Sequence, residues 1–429
     1  MEYLASNKIA IIDLATRDVM EEELDDDLVL EKIGGAGITK ALYDRFAAED
    51  PLVLGTGPLT GSLVPASSLG VITAKSPLTG RVSHVPVSLD AGMELKYSGF
   101  DYVVVKGSSD KPVYLWVHDG IIDLNDADEL WGKDVWTATD HIRSLMGDDL
   151  IQVLGIGEAG EKGSDLSQVC INYWQSGDRM GIGGLFGKKR LKLIAIRGMG
   201  LLEIAEPEDF VEACARLLTA VKSGEAAGIR GIAAMGAAMG EENIEGWLQP
   251  LIHKHMACFN TPVPTNTFVF LNEDPGLLKE TSEAEPGVLL TDIHPLLTLK
   301  KIGFTASDAC RVLKMCAKYG IDGAATAELS EKAGFTDPEA VKGTFATLKG
   351  PVYSAGDSAF SPWAAVGNQE PETWLRRQAV AYIFGLHPIF MLMAPELTEE
   401  KLLEISSLGT ELELTSETLD EVIGDITGQ

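Results

Sequence analysis

Cysteine is scarce in this chain of 429 residues, and the few cysteines stand far apart. The five are Cys170, Cys214, Cys258, Cys310 and Cys316, and no two of them form a Cys-x-x-Cys pair. An odd number of irregularly spaced cysteines excludes the disulfide framework of small secreted proteins. The wide spacing also disfavours an iron–sulfur cluster that is bound by a run of closely spaced cysteines. We therefore expect a protein of the reducing cytoplasm.

Basic residues are in short supply as well. The chain has 35 lysines and arginines against 64 aspartates and glutamates, which gives a formal net charge of −29. Nucleic acids and anionic membranes bind proteins through concentrated positive charge, so both are disfavoured as partners. The acidic excess is typical of a well-solvated surface and does not identify a partner by itself.

Hydrophobic runs of membrane-spanning length are absent from the sequence. The longest apolar stretch, residues 379–395, is interrupted by Gly385, His387 and Pro388 and is too short to cross a bilayer comfortably. We interpret it as part of the core or of a subunit interface. The opening residues, MEYLASNKIAIIDL, lack a basic segment followed by a long apolar run, so we expect no signal peptide.

Apolar periodicity divides the chain into two parts. Before about residue 205, short apolar or alternating runs such as LVLGTG, YVVVKG and LKLIAIRG end at glycine, aspartate or proline and predict a mostly antiparallel, β-rich domain. After Pro207, stretches such as PEDFVEACARLLTAVKSG and DACRVLKMCAKYG have helical spacing and end at glycine. We predict an α+β fold with a β-rich domain at residues 1–205 and a mainly helical region at 206–429.

Two glycine-rich motifs have features of ligand-binding loops. Residues 155–160 match Gly-x-Gly-x-x-Gly, but the surrounding chain does not alternate strands and helices as a dinucleotide-binding domain does. Residues 179–190, RMGIGGLFGKKR, are glycine-rich and basic but do not form a P-loop, because Ile182 and Lys189 occupy two of its required positions. This segment either receives a phosphate through backbone N–H groups, Arg179 and Lys188, or forms a structural turn before the next strand.

Residues 52–109 and 179–190 resemble the N-terminal domain of the aldehyde:ferredoxin oxidoreductase family. The resemblance covers residues 8–205 well and continues weakly to about 425. Members of this family hold a tungsten or molybdenum bis-pterin cofactor and a [4Fe-4S] cluster. The resemblance implies a diverged, shortened member in which the segment at about 323–375 is much shorter than in the enzymes. If a pterin is retained, the implied cofactor-binding residues are Arg179, Gly181, Gly183, Lys188, Gly303 and Gly385.

Several positions that contact the pterins in this family are changed here. An arginine of the family's Gly-Gly-Arg-Gly-Leu turn is replaced by Ala36, and a second arginine is replaced by Leu69. The two Asp-x-x-Gly-Leu motifs correspond to residues 300–305 and 382–387, where the glycine remains and the aspartate does not. Replacing charged groups with apolar ones removes what holds a phosphate-bearing ligand. The resemblance therefore implies that the bis-pterin has been lost.

The cluster-binding run has its best counterpart at residues 255–262, where one cysteine, Cys258, remains. His387 stands where the family has the distant fourth cysteine. Because a [4Fe-4S] cluster usually needs four thiolates, we predict that the cluster is absent. His255, Cys258 and His387 could instead bind zinc or a similar metal. The alternative is that Cys258 is a small buried hydrophobic residue and the histidines make ordinary hydrogen bonds.

Three functions are compatible with this sequence. The first is a diverged relative without the [4Fe-4S] cluster and bis-pterin, kept as a cytoplasmic scaffold or binding subunit. The second is an active tungsten or molybdenum pterin oxidoreductase that acts on aldehydes or oxo groups, with an iron–sulfur protein as acceptor, as part of a heteromer. The third is a mononuclear metal-binding protein. By analogy with the family we expect a homodimer or a subunit of a redox complex.

Overall fold

The computed structural model describes residues 3–271, 287–345, 359–360 and 370–428. Strands and helices are mixed before residue 200 and helices dominate afterwards, which confirms the predicted α+β fold. The strands are β1 (Lys8–Asp13), β2 (Asp18–Glu23), β3 (Leu52–Thr56), β4 (Gly70–Lys75), β5 (Val82–Val87), β6 (Tyr102–Lys106), β7 (Val113–His118), β8 (Ile121–Asp126), β9 (Gln152–Gly155), β10 (Cys170–Ile171), β11 (Trp174–Gln175), β12 (Leu191–Arg197), β13 (Ile252–Met256), β14 (Asn266–Phe270) and β15 (Gly287–Leu290). The helices are α1 (Asp26–Lys32), α2 (Gly35–Arg45), α3 (Ala91–Tyr97), α4 (Val135–Met146), α5 (Glu158–Glu161), α6 (Ile182–Lys189), α7 (Pro207–Ser223), α8 (Gly231–Ala238), α9 (Glu245–Leu248), α10 (His294–Lys301), α11 (Ala306–Tyr319), α12 (Gly323–Ala333), α13 (Pro338–Lys342), α14 (Pro371–Phe384), α15 (Pro388–Met393), α16 (Glu399–Thr410) and α17 (Ser416–Thr427).

Two six-stranded sheets form the first part of the chain. Their strand orders are β2-β1-β6-β3-β4-β5 and β11-β10-β9-β12-β7-β8. Most neighbouring strands are antiparallel, as predicted, but β1 runs parallel to β6 and β12 runs parallel to β7. Side chains from both sheets share one hydrophobic core, so the two sheets pack face to face.

The sequence of β1 explains why the first sheet is buried on both sides. Side chains of a strand alternate between its two faces. Ala10 and Ile12 belong to the core between the sheets. Ile9 and Ile11 pack on the opposite side, in a second core that includes Ile38 of α2. A continuous apolar strand is therefore the expected pattern here.

The helical region surrounds the largest hydrophobic core of the described residues. Local sequence signals mark where these helices begin. Pro207 is the first residue of α7. The hydroxyl of Thr305 accepts a hydrogen bond of 3.1 Å from the backbone N–H of Asp308 and so caps the start of α11. The region also contains the antiparallel sheet β13-β14-β15, which the sequence analysis did not predict.

The apolar stretch at residues 379–395 lies in the interior of this chain. Its side chains from Ala379 to Phe384 are fully buried, and so is Phe390. The interpretation as core is confirmed. The alternative interpretation as a subunit interface does not hold, because these side chains are covered by the chain itself. Within the described residues, no helix combines the length and apolar character needed to cross a membrane.

Candidate cofactor seat between the sheets and the helices

Several, but not all, of the segments that correspond to the family's cofactor motifs meet at the C-terminal end of α14. Three direct backbone hydrogen bonds join them: Leu59 N–H to Phe384 O at 3.2 Å, Leu69 N–H to Gly385 O at 3.0 Å, and His387 N–H to Ala66 O at 2.9 Å. We call this region the seam. It comprises residues 34–38, 57–69, 84–90, 258–260 and 382–387.

Glycines allow the backbones at the seam to touch. A Cβ atom on Gly35 would overlap the carbonyl oxygen of Tyr382, and one on Gly57 would overlap the backbone of Phe384. Gly385 ends α14 with φ +85°, and a Cβ atom there would overlap the hydroxyl of Thr60. Only glycine permits such close approach of two backbones. Packing therefore explains Gly385, the glycine that remains in the second of the two motifs.

Aromatic side chains fill the interior next to the seam. Phe360 and Tyr382 are fully buried, and their ring centroids lie 5.0 Å apart. The ring of His84, also fully buried, lies 5.5 Å from that of Phe360, and its Nδ1 is 2.7 Å from the hydroxyl of Thr73. Burial lowers the pKa of His84 to about 3, so this histidine is neutral. The side chains at this position form a core.

Arg179 and Lys188 do not converge on a phosphate site. Arg179 is buried and forms an ion pair with Asp292, just before α10. Lys188 is exposed in the last turn of α6, so it lies about 10 Å along the helix from Gly181. The guanidinium is already neutralised and the ammonium points into solvent at the other end of the helix.

The glycines of residues 179–190 serve the packing of α6. Gly181 adopts φ +74° at the start of the helix, and a Cβ atom there would lie 2.5 Å from the carbonyl oxygen of Asp165. A Cβ atom on Gly183 would lie 2.7 Å from the backbone of Gln168. Of the two alternatives for this segment, the structural turn is the one that these contacts favour.

Gly303 occupies a different environment. It follows α10 with φ +99°, and no atom of the described residues lies within 4 Å of the position of its Cβ. Helix α10 packs mainly against α12 and α11. Gly303 therefore acts as a glycine that ends a helix, which is a common role for this residue type.

Lys96 is a buried cation that contacts the seam and that the sequence analysis missed. This side chain is fully buried in α3 and donates to three carbonyl oxygens: Leu4 at 2.7 Å, Gly57 at 2.8 Å and Pro58 at 3.1 Å. Burial lowers the pKa of Lys96 to about 8, and the nearby Asp101 carboxylate opposes that shift. The sequence signal that could have identified this buried lysine is its position on the apolar face of a short helix.

Asp178 is a second buried group that pattern reasoning did not find. Its carboxylate accepts hydrogen bonds from the backbone N–H groups of Met180 at 2.8 Å and Val169 at 3.3 Å. Burial raises the pKa of Asp178 to about 7. These contacts fix the turn that leads into α6, so the acid has a structural partner on each oxygen.

The three predicted metal ligands each have local partners. Nδ1 of His255 lies 3.1 Å from the Thr267 hydroxyl, and the buried thiol of Cys258 accepts from the Asn266 side chain at 3.6 Å. Nδ1 of His387 accepts from the backbone N–H of Phe390 at 3.3 Å and caps α15. No three histidine, cysteine, aspartate or glutamate side chains in the described ranges are placed to hold a metal.

The structure therefore does not bring His255, Cys258 and His387 together as one ligand set. Burial raises the pKa of the Cys258 thiol to about 11, which disfavours the thiolate that a metal requires. The alternative, a buried hydrophobic cysteine and two hydrogen-bonded histidines, is the one these contacts favour.

We expect His387 to make the protein less stable in mild acid. Burial lowers its pKa from 6.5 to about 4. Between these values the unfolded chain binds a proton that the folded chain does not, so stability falls as the pH drops. In His387→Asn the asparagine should still cap α15. The free energy of unfolding should then differ between pH 7 and pH 5 by about 2 kcal/mol less than it does in the wild type.

Urea unfolding of the wild type and the variant at both pH values measures this difference. His141→Asn, at an exposed site on α4, is the matched control. An identical pH dependence in wild type and His387→Asn would contradict the assignment of His387 as a buried neutral cap.

The residues of the seam do not fit a bis-pterin. Its phosphates need cations or N–H donors that are available for binding. Arg179 is bound to Asp292, and Lys96 donates to three carbonyl oxygens. The backbone hydrogen bonds across the seam occupy N–H groups of Leu59, Leu69 and His387. These donors are therefore already used within the protein.

Comparison with known proteins supports the resemblance. Residues 9–198 match the family described as "Aldehyde ferredoxin oxidoreductase, N-terminal domain". A tungsten-containing aldehyde ferredoxin oxidoreductase of Pyrococcus abyssi is 32% identical over 229 residues, which cover 52% of this chain and 38% of that protein. The "Aliphatic sulfonate oxidoreductase, WOR-like subunit" of Pyrococcus furiosus is 28% identical over 223 residues, covering 47% of this chain and 35% of that protein.

A solved structure has a similar fold over a longer part of the chain. It is the active site complex BamBC of benzoyl coenzyme A reductase, with a TM-score of 0.66 and 20% sequence identity. The superposition covers 78% of this chain and 57% of that one. At this identity the similarity shows the fold alone. The sequence matches span little more than a third of the curated relatives. Residues 9–198 of this chain are therefore similar to the N-terminal domain of the aldehyde ferredoxin oxidoreductases.

Proposed function

We propose that this protein is a non-catalytic relative of the aldehyde ferredoxin oxidoreductases that works as a scaffold or binding subunit. The observation that carries the proposal is the direct backbone packing across the seam. Leu59, Leu69 and His387 bond to partners on the opposite side, and glycines allow that contact. A cofactor inserted between these segments would have to break those hydrogen bonds.

The electrostatics of the site support the same proposal. The arginine that the sequence retained, Arg179, is neutralised by Asp292. The cysteine that it retained, Cys258, is buried with a raised thiol pKa. Neither group is in the state that binding of a pterin phosphate or an iron atom requires. The surviving family residues are thus accounted for by structural roles.

The names of two similar proteins support a role as a subunit. One relative is itself named a WOR-like subunit, and the similar solved structure is a complex of more than one component. We propose a redox complex as the assembly that contains this chain. Gel filtration with light scattering on protein isolated from its native source should give a mass well above 46.0 kDa, and a mass of one chain would contradict a stable subunit role.

Release of pterin tests the loss of the cofactor. Denaturing the purified protein with acidic iodine should yield no fluorescent pterin derivative above a blank. A tungsten-containing relative carried through the same procedure serves as the positive control. Two equivalents of pterin per chain would overturn the proposal.

The second candidate is an active tungsten or molybdenum oxidoreductase. The relative that is 32% identical is named as tungsten-containing, which favours this candidate over unrelated chemistry. It predicts pterin in the release assay and loss of aldehyde oxidation in Arg179→Ala. The absence of pterin would exclude it.

A further inference from the structure

A groove lies on the outer surface, on the side of the chain where the second sheet meets the helical region. Its volume is about 510 Å³. On one side it is bounded by Gly132, Asp134 and Glu158, which belong to the sheet-containing part. Side chains of α11 and α13 and of the residues that follow α13 form the other side: Met315, Lys318, Tyr319, Lys342 and Phe345. This volume is within the range of small-molecule sites in proteins.

One wall of the groove is aromatic. The ring centroids of Tyr319 and Phe345 lie 5.2 Å apart, and their planes are tilted by 40°. Phe345 is largely buried and Met315 is half-buried, so the wall is held by packing beneath it. A planar apolar group could lie against these rings and remove apolar surface from water.

Positive charge is concentrated at this groove in a chain whose net charge is −29. Lys318 and Lys342 line it directly. The ammonium groups of Lys314 and Lys318 lie 5.3 and 4.6 Å from the ring centroid of Trp136, so two cations share one indole. The ammonium of Lys162 lies 6.0 Å from the ring centroid of Tyr319.

The carboxylates of the groove are already engaged. Asp134 accepts a hydrogen bond of 2.7 Å from the backbone N–H of Thr137 and caps α4. Glu158 forms an ion pair with Lys162. Neither Lys318 nor Lys342 has an ion pair with a carboxylate in the described part of the chain. With Glu158 paired to Lys162, Lys318 and Lys342 face the single remaining carboxylate of Asp134, so the lining has a small excess of positive charge that favours an anion.

We infer that this groove is a binding site for a small aromatic anion, in which a planar ring lies against Tyr319 and Phe345 and a carboxylate or similar group meets Lys318 and Lys342. A lysine ammonium is a point charge on a flexible stem, so it accepts an anionic group without demanding one geometry. Neither the family resemblance nor the proposed scaffold role assigns a site here, and the inference does not depend on either.

The test compares 2-naphthoate with its neutral analogue 2-naphthamide. Isothermal titration of the full chain should show saturable 1:1 binding of 2-naphthoate and at least 10-fold weaker binding of the amide. Raising the salt concentration should weaken the binding of naphthoate and leave that of the amide unchanged, because salt screens the charge interaction alone.

Variants locate the site. Lys318→Met with Lys342→Met should raise the dissociation constant for 2-naphthoate at least 10-fold, because methionine keeps an apolar stem and removes the charge. Lys222→Met, at an exposed position on α7, is the control and should change it less than 2-fold. Thermal unfolding of each variant establishes that it is folded. No saturable binding, equal affinity for acid and amide, or unchanged affinity in the folded double variant would overturn the inference.

Discussion

Replacing Gly385 with alanine is expected to lower the free energy of unfolding by about 2 to 5 kcal/mol. Gly385 has φ +85°, which costs an alanine about 1 to 2 kcal/mol. The added Cβ would also overlap the hydroxyl of Thr60, and overpacking of this kind costs a further 1 to 3 kcal/mol, roughly. Urea unfolding followed by circular dichroism measures the loss.

Gly303→Ala is the matched control for this prediction. Gly303 also follows a helix with positive φ, but no described atom lies within 4 Å of its Cβ position. We expect a loss of about 1 to 2 kcal/mol, from backbone strain alone. Equal losses in the two variants would show that the seam is not closely packed at Gly385.

Lys96→Met is expected to destabilise the protein by about 3 kcal/mol. The ammonium donates to the carbonyl oxygens of Leu4, Gly57 and Pro58, and the variant leaves these acceptors buried without that donor. Each unsatisfied buried group costs about 1 to 3 kcal/mol, while removal of a buried charge returns part of that sum. The measurement is again urea unfolding at pH 7.

Lys75→Met provides the comparison for Lys96. Lys75 is exposed at the end of β4, so its replacement should change the free energy of unfolding by less than about 0.5 kcal/mol. If Lys96→Met were as stable as this control, the buried ammonium would not be what holds residues 4, 57 and 58 together.

Local patterns in the sequence were sufficient to predict much of the fold. The run KIAIID became β1 because both faces of that strand are buried, and DACRVLKMCAKYG became most of α11, which ends at Gly320 in the left-handed conformation. These signals depend on residues within a few positions of each other. The sheet β13-β14-β15 was missed because its strands are short and no residue of β13 is fully buried, so that strand lacks a clear apolar pattern.

The candidate site was harder to predict because its partners are distant in sequence. A phosphate is one of the two alternatives that the sequence leaves open for the segment of Arg179, whereas its partner in the structure, Asp292, is 113 residues away. Lys96 meets carbonyl groups from residues 4, 57 and 58, and no local pattern indicates such a contact. By contrast, the role of His387 could have been predicted, because a polar residue followed by Pro388 is a common start of a helix.

We propose that this protein carries no tungsten or molybdenum pterin. Mass-spectrometric metal analysis of anaerobically purified protein, with its visible absorption spectrum, tests this claim most directly. We predict less than 0.1 tungsten or molybdenum atom per chain, as an order-of-magnitude bound, and no absorption band in the visible range. Near-stoichiometric tungsten or molybdenum, with or without iron, would contradict the account.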